Sequence, residues 1–397
     1  MLRVPYASRQ LAGTLIGRLP TAMAPLAILL GAAKEAGHGS AAGLTAIFLL
    51  SNAVGGPVSA RFVDRFGQTG TLVTGAALSG VAFISLAVGP WHMGWVLVAV
   101  SVAGAARPPL DAALRALWGT GPMMPTRGHR RVALSLDSAT QELIYVVGPL
   151  LVAALTMAAS VSGALLVTAA LGLAGTAMVV STPPSRSWAG KSRPTRRGWL
   201  GPLHSPRLRV LYLAMVGVGF PMGALTPLAM EAADRFAAPA LSGGLPAVLS
   251  VGAALGGLAY GWRVWPGSTD RHLLVLSLAF TLGWLPLAAA GSSTTALAAI
   301  VLPGLAMAPL LAGAFVETSS YAPPGHVTEA HALLVAALDV GCALGAAVAG
   351  LLPTMALLPA GATAACLVLV TGGRRPAADA PSRPPVAEPA LSKELLT

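Results

Sequence analysis

The 397 residues are 55% hydrophobic and only 10% charged, with a mean hydropathy of +0.73. That balance excludes a soluble globular domain, in which about a quarter of residues carry charge. The two cysteines imply no disulfide framework, so the net charge of +11 must be explained by where the cations sit.

A helix needs about 20 consecutive apolar residues to cross ~30 Å of hydrocarbon. Twelve runs qualify: 10–31, 41–62, 71–90, 94–117, 132–156, 162–182, 209–230, 241–264, 272–290, 294–316, 329–351 and 354–372. They are continuous and do not alternate, which points to helices over strands. The first run is too long for a cleaved signal peptide and carries Arg18. The expected fold is an all-α polytopic membrane protein with twelve transmembrane helices.

The first span is interrupted by Pro20 and Pro25 and holds Arg18. Between spans two and three, "GPVSARFVDRFGQTG" (56–70) gathers Arg61, Asp64 and Arg65 ahead of Gly67. A short loop must turn tightly, and Gly67 permits it. Asp64 can accept hydrogen bonds from the N-terminus of a neighbouring helix, whose free N–H groups and dipole favour an anion. The loop reads either as a conformational lock or as a plain topology anchor.

Span four contains Arg107 and Asp111, separated by Pro108–Pro109. Asp111 lies four residues after Arg107, which suits a neutralising pair, although the prolines disturb helical spacing. Span five contains Asp137, Glu142 and Gly148–Pro149, and span eleven contains Asp339. Counting 1.5 Å per residue puts Arg18 about 13 Å deep, Glu142 and Asp339 about 15 Å, and Arg107 ~18 Å. Ionisable groups at such depth cost a few kcal/mol on insertion scales and are functional candidates. Glu142 is the first choice for taking and releasing a proton, its counterpart Asp339 the second, and Asp137 the third. Arg18, Arg107 and Asp111 are expected at a central cavity. The alternative is a set of structural pairs, such as Arg18 with Glu142.

If the spans alternate from an inside start, only Lys34 and Arg235 fall in outer loops and only Arg18 and Arg107 inside spans. Every other cation is then cytoplasmic, which is the positive-inside rule. Both termini, the 56–70 loop and the basic stretch 183–208 follow as cytoplasmic. Trp91 and Trp95 would mark an outer interface, and Trp118, Trp188, Trp199, Trp262 and Trp265 inner ones. The cations thus set topology, and no nucleic-acid partner is implied. The abundance of arginine over lysine points to a high-GC bacterium and so to its inner membrane.

The chain also repeats. "GAARPPLDAA" (104–113) matches "GLAMAPLLAG" (304–313) at an offset of 200, and "GGPVSA" from Gly55 matches "GGLAYG" from Gly256. "PLA" recurs at Pro25 and Pro227, Gly148 answers Gly345, and Glu142 answers Asp339. Two six-helix halves (1–182 and 209–373), joined by the linker 183–208 and followed by a Pro/Ala-rich, disordered tail 374–397, form a transporter-like plan. Glycine pairs such as Gly252/Gly256 and Gly341/Gly345 serve close helix packing. Proline interruptions at Pro221 and Pro227 repeat those of span one. His326, Glu329 and His331 have no metal-ligand spacing. No Walker loop, GxSxG elbow or HExxH is present, so neither ATP drive nor an enzyme is expected.

On these residues the chain resembles the major facilitator superfamily. "ARFVDRFGQT" (60–69) is similar to its loop signature at Asp64, Arg65 and Gly67, departing at Ala60, Gln68 and Thr69. "GPLL" from Gly148–Pro149 is similar to the Gly-Pro motif of proton-coupled drug exporters. "PPLDAALRALW" (108–118) and "APPGHVTEA" (322–330) resemble segments of actinobacterial members. The resemblance implies a monomeric secondary transporter without cofactor, in contact with lipid and a small-molecule substrate and driven by the proton gradient. It implies a 56–70 loop that latches the two halves, and export of a small, largely apolar compound. The alternatives are a proton-coupled nutrient importer and a non-transporting sensor or assembly protein.

Overall fold

The computed structural model describes residues 4–36, 38–120, 124, 126–188, 201–238, 241–263, 265–352 and 354–373, except for certain side chains within helices, that of Glu142 among them. The first half comprises α1 (Ala7–Ala36), α2 (His38–Phe66), α3 (Gln68–Val88), α4 (Met93–Ala105), α5 (Leu110–Thr120), α6 (Arg127–Ala158) and α7 (Val161–Val180). A single turn α8 (Pro183–Arg186) and a 3-10 turn at Pro202–His204 flank the basic stretch. Residues 189–200, with Trp199, and the tail 374–397 lie outside the described residues. The second half comprises α9 (Pro206–Arg235), α10 (Leu241–Trp262), α11 (Thr269–Gly283), α12 (Leu285–Ala288), α13 (Ser293–Ala299), α14 (Val301–Tyr321), α15 (Val327–Leu351) and α16 (Leu357–Gly373).

Among the described residues, eleven helical segments are long and apolar enough to cross a membrane, and the last, Leu357–Val370, is shorter. Three of the twelve spans are broken. The fourth divides into α4 and α5 at residues 106–109 because Pro109 pushes Pro108 out of the helical region and neither proline donates a backbone bond. Its counterpart α14 keeps only Pro309 and runs straight through, having Ala308 where the first half has Pro108. The ninth divides at Trp284 ahead of Pro286, and the tenth at Ile300. Ser and Thr hydroxyls start several helices: Thr126 accepts from the His129 N–H, Ser160 from Gly163, Ser205 from Leu208 and Ser268 from Arg271.

Each half has its own core. Met23, Ile28, Phe48, Phe83, Leu86 and Val100 cluster in the first, and Met215, Leu228, Phe280, Trp284 and Leu310 in the second. Large apolar side chains such as Val88, Leu150 and Leu367 face outward, as expected where lipid is the solvent. Lipid offers no hydrophobic drive for helices to associate, so close approach through small residues does that work. The two halves do so identically. A Cβ on Gly104 would sit 2.5 Å from the Phe48 carbonyl oxygen of α2, and one on Gly304 would sit 2.5 Å from the Leu249 carbonyl oxygen of α10. Gly55 backs onto the Ala105 carbonyl and Gly256 onto that of Leu305. Gly148 presses on Ala22 and Met23 of α1, and Gly345 on Phe220 and Ala224 of α9. The residues matched at offsets of 197–202 in the sequence thus make matching contacts.

Candidate functional site

One end of the molecule carries the α2–α3 loop, the start of α6 and the α10–α11 loop, and here the two halves are in contact. Asp64, near the end of α2, lies across the start of α15. Its two carboxylate oxygens accept from the backbone N–H groups of Thr328 (3.0 Å) and Glu329 (2.8 Å). A buried carboxylate thus satisfies two of the free donors of a helix in the other half. Arg61, one turn earlier, donates its Nε to Glu329 Oε1 at 3.0 Å. The other Glu329 oxygen meets His326 Nδ1 at 2.8 Å. Gly67 turns the chain with φ of 91°, a left-handed value that suits glycine. Arg65 points outward over the Phe66 ring. At the same end Arg131 of α6 donates to the Arg263 carbonyl at 2.9 Å and lies over Tyr260.

Deeper in, a polar network fills the floor of the central space. Asp137 is fully buried and accepts from Arg18 Nη1 (3.0 Å) on one oxygen and from Arg115 Nε (2.7 Å) on the other. Arg115 also reaches Asp111 (3.5 Å) and Gln141 (2.6 Å), and its guanidinium stacks 3.7 Å from the centroid of Phe315 in α14. Arg18 pairs with Asp137, five residues before Glu142 in α6; the side chain of Glu142, its partner in the alternative of structural pairs, lies outside the described residues. Two expectations are corrected here. Asp111 ion-pairs with Arg115, not Arg107, because the break at 106–109 removes the helical spacing on which the Arg107 pairing relied. Arg115, read as a cytoplasmic cation, has no exposed surface. The i, i+4 spacing of Asp111 and Arg115 inside an apolar run was the available signal.

Above this floor lies a cavity of about 680 Å³. Ala22, Pro25, Leu49, Ile144, Val335 and Val340 make most of its wall apolar. Arg18, Arg107, Asp111, Gln141, Tyr145 and Asp339 supply the polar groups, and Pro149 lies on its edge. Arg107 projects from the α4–α5 break and donates to Thr21 Oγ1; its buried Nε has no acceptor among the described residues. Asp339 faces the cavity, and among the described residues no hydrogen bond or salt bridge engages it. The chain brings Arg18, Arg107, Asp111 and Asp339 around one cavity, with Asp137 just below and Arg61, Asp64 and Arg65 at the closed end.

Other expectations divide. Trp262 is almost fully exposed and Trp265 partly so, as interfacial residues should be, but Trp118 is buried and donates to Gln10 Oε1 at 3.1 Å. Trp188 is half-buried beside the α2–α3 loop. His331 bonds Ser319 at 2.9 Å, and no group able to hold a metal ion occurs among the described residues. Cys342 and Cys366 are both free.

Membrane helices in two repeat-related bundles, closed at one end over a mostly apolar cavity, define a transporter fold. The family model of the Major Facilitator Superfamily matches residues 11–346, and the chain belongs to that superfamily. It is a multi-pass membrane transporter, not an enzyme. Among solved structures it is similar to the human organic anion transporter MFSD10 (TETRAN), at 17% identity and a TM-score of 0.72, covering 92% of this chain and 97% of that one. It is also similar to a bacterial homologue of the iron transporter ferroportin in an outward-facing state, at 16% identity and a TM-score of 0.68 over 93% and 99% of the two chains. The transporter FucP in its outward conformation aligns at 14% identity and a TM-score of 0.69 over 94% and 99%. At these identities the likeness speaks for the fold alone. No curated protein matches the chain in sequence.

Proposed function

We propose that the protein is a proton-coupled exporter of a small, largely apolar organic compound, working by alternating access from the cytoplasmic membrane of a bacterium. The observation that carries the coupling is Asp339: among the acids described around the cavity it alone lacks a hydrogen bond or salt bridge. Asp111 and Asp137 are both engaged by arginines in this state. Glu142, its repeat counterpart, remains the partner candidate. A carboxyl that binds either a proton or a substrate donor, in turn, exchanges one for the other as access alternates. Export rests on Gly148–Pro149, where Gly148 lets α6 close on α1 and Pro149 borders the cavity. The apolar wall suits an apolar substrate body, with Arg107 and Tyr145 for its polar groups. Closure at the basic end supports an outward-open state with that end, and both termini, in the cytoplasm. The protein works as a monomer, with Asp64 and Arg61 as its lock.

The test is Asp339→Asn in everted vesicles, with a panel of fluorescent amphipathic dyes. Downhill dye exchange should persist, because the side chain keeps its shape, while accumulation driven by a pH gradient should disappear. Intact pH-driven accumulation would remove Asp339 and move the role to Glu142. Orientation is checked separately with single cysteines at 36 and 190 and an impermeant thiol reagent on intact cells. Labelling at 36 but not at 190 is expected, and the reverse pattern would invert the topology.

A further inference from the structure

Arg115 and Phe315 are 200 residues apart, as are Gly119 and Ser319, and 200 is the offset at which span four repeats as span ten. Both pairs are in contact: Arg115 stacks on Phe315, and a Cβ on Gly119 would collide with Ser319 Oγ. Each residue therefore touches its own repeat counterpart. Two points related by a two-fold rotation can meet only on the axis, so these pairs mark the pseudo-two-fold axis between the halves, directly below the cavity.

We propose that Arg115 and Phe315 form the floor gate of the transport path, a closure distinct from the Asp64 latch and nearer the cavity. A symmetric repeat would oppose identical residues here. Two arginines would repel, whereas the diverged pair sets a cation on a π face. Both residues are buried, at 0% and 2% exposure, and a desolvated contact of this kind is strong. The guanidinium cannot turn away freely, because Asp137, Asp111 and Gln141 hold three of its nitrogens and fix its plane over the ring. The three acceptors all belong to the first half and move with Arg115, while Phe315 belongs to the second. Separation of the halves at this end therefore breaks only the stacking and leaves every hydrogen bond of Arg115 in place. That is the property a reversible gate requires. His331, with its ring 6.0 Å from that of Phe315, packs on the second-half side of the gate. Arg115 and Phe315 are thus positioning residues for the alternating-access cycle, and the inference rests on that part of the proposed function.

The experiment uses the full chain in lipid nanodiscs, where both faces are accessible, with Cys342 and Cys366 replaced by alanine and Ser319→Cys as reporter at the gate. The rate of labelling by a charged maleimide measures how often the floor opens. Phe315→Leu, which keeps bulk but removes the π face, should raise that rate roughly 10- to 30-fold, and Phe315→Tyr should leave it near the parent value. Should the leucine variant give too little folded protein, Phe315→Met makes the same comparison. Equal rates in the parent and the ring-less variants would overturn the gate, as would an equal rise in Phe315→Tyr, which would reduce the contact to packing. Labelling needs neither substrate nor proton gradient, so its failure is distinct from a failure of coupling at Asp339.

Discussion

Asp64→Asn tests the latch with almost no change of shape. In the closed state both carboxylate oxygens accept backbone N–H groups at the start of α15, at 3.0 and 2.8 Å. Asparagine keeps one acceptor oxygen and places an amide donor against the second N–H. A lost capping interaction costs ~1 kcal/mol, and the missing charge at a part-buried helix N-terminus adds up to ~2 kcal/mol. Because the bond joins opposite halves, the cost falls on the closed state and not on the fold of either half. The closed-to-open equilibrium should therefore move by roughly 1–3 kcal/mol, or about 5- to 160-fold. Spin labels at Gly70→Cys and Ser320→Cys, exposed positions on opposite halves at this end, report the change through pulsed paramagnetic-resonance distances. A longer-distance population should grow in the variant. Identical distance distributions would refute the latch and leave the loop as a topology anchor.

Asp137→Asn should lower stability in detergent by about 3–5 kcal/mol, because it strands the buried Arg18 and Arg115 without their shared counter-ion; an unchanged melting temperature would show that the network is dispensable. Gly256→Leu drives a side chain into the Leu305 carbonyl and should abolish monodisperse protein on size exclusion, while Gly70→Leu, which faces open space, should not. Equal yields of the two would contradict the close approach of α10 and α14.

Much of the fold was legible because membrane helices announce themselves by length and apolarity, and because a duplicated chain repeats its close-packed glycines. The Asp64 cap was legible too, since an acid at a short loop has few other partners within reach. The floor was not. Depth counted along one helix says how far Arg18 and Asp137 lie from a surface, but not which faces of α1 and α6 meet. Arg115 was missed for a related reason: it stands near the end of its span, where cations ordinarily turn to solvent, and it is the packing of α5 against α6 and α14 that buries it. The helix break at 106–109 was hinted by Pro108–Pro109, yet its consequence, freeing Arg107 from Asp111 and delivering it to the cavity, needed the three-dimensional path.

The two halves share a backbone plan but not a chemistry. At an offset of 200, Arg107 answers Met307, Pro108 answers Ala308, Asp111 answers Leu311 and Arg115 answers Phe315. The first half thus has a broken, charged helix where the second has an unbroken and mostly apolar one at the level of the floor. A buried ion network shared between halves would have to be torn apart and resolvated at every turnover, with several kcal/mol at stake for each unpaired charge. Keeping Arg18, Asp111, Arg115, Asp137 and Gln141 within one half avoids that cost, because the network travels intact as the halves separate. What crosses the interface at the floor is a ring face and small side chains, and at the rim a cap on one helix end, the single Arg61–Glu329 ion pair and the Arg131 bond to the Arg263 carbonyl. Contacts of about 1–3 kcal/mol each hold a state firmly enough to be populated and weakly enough to be left. The asymmetry between the repeats is therefore what allows a charged core and a reversible closure to occupy the same few turns of helix.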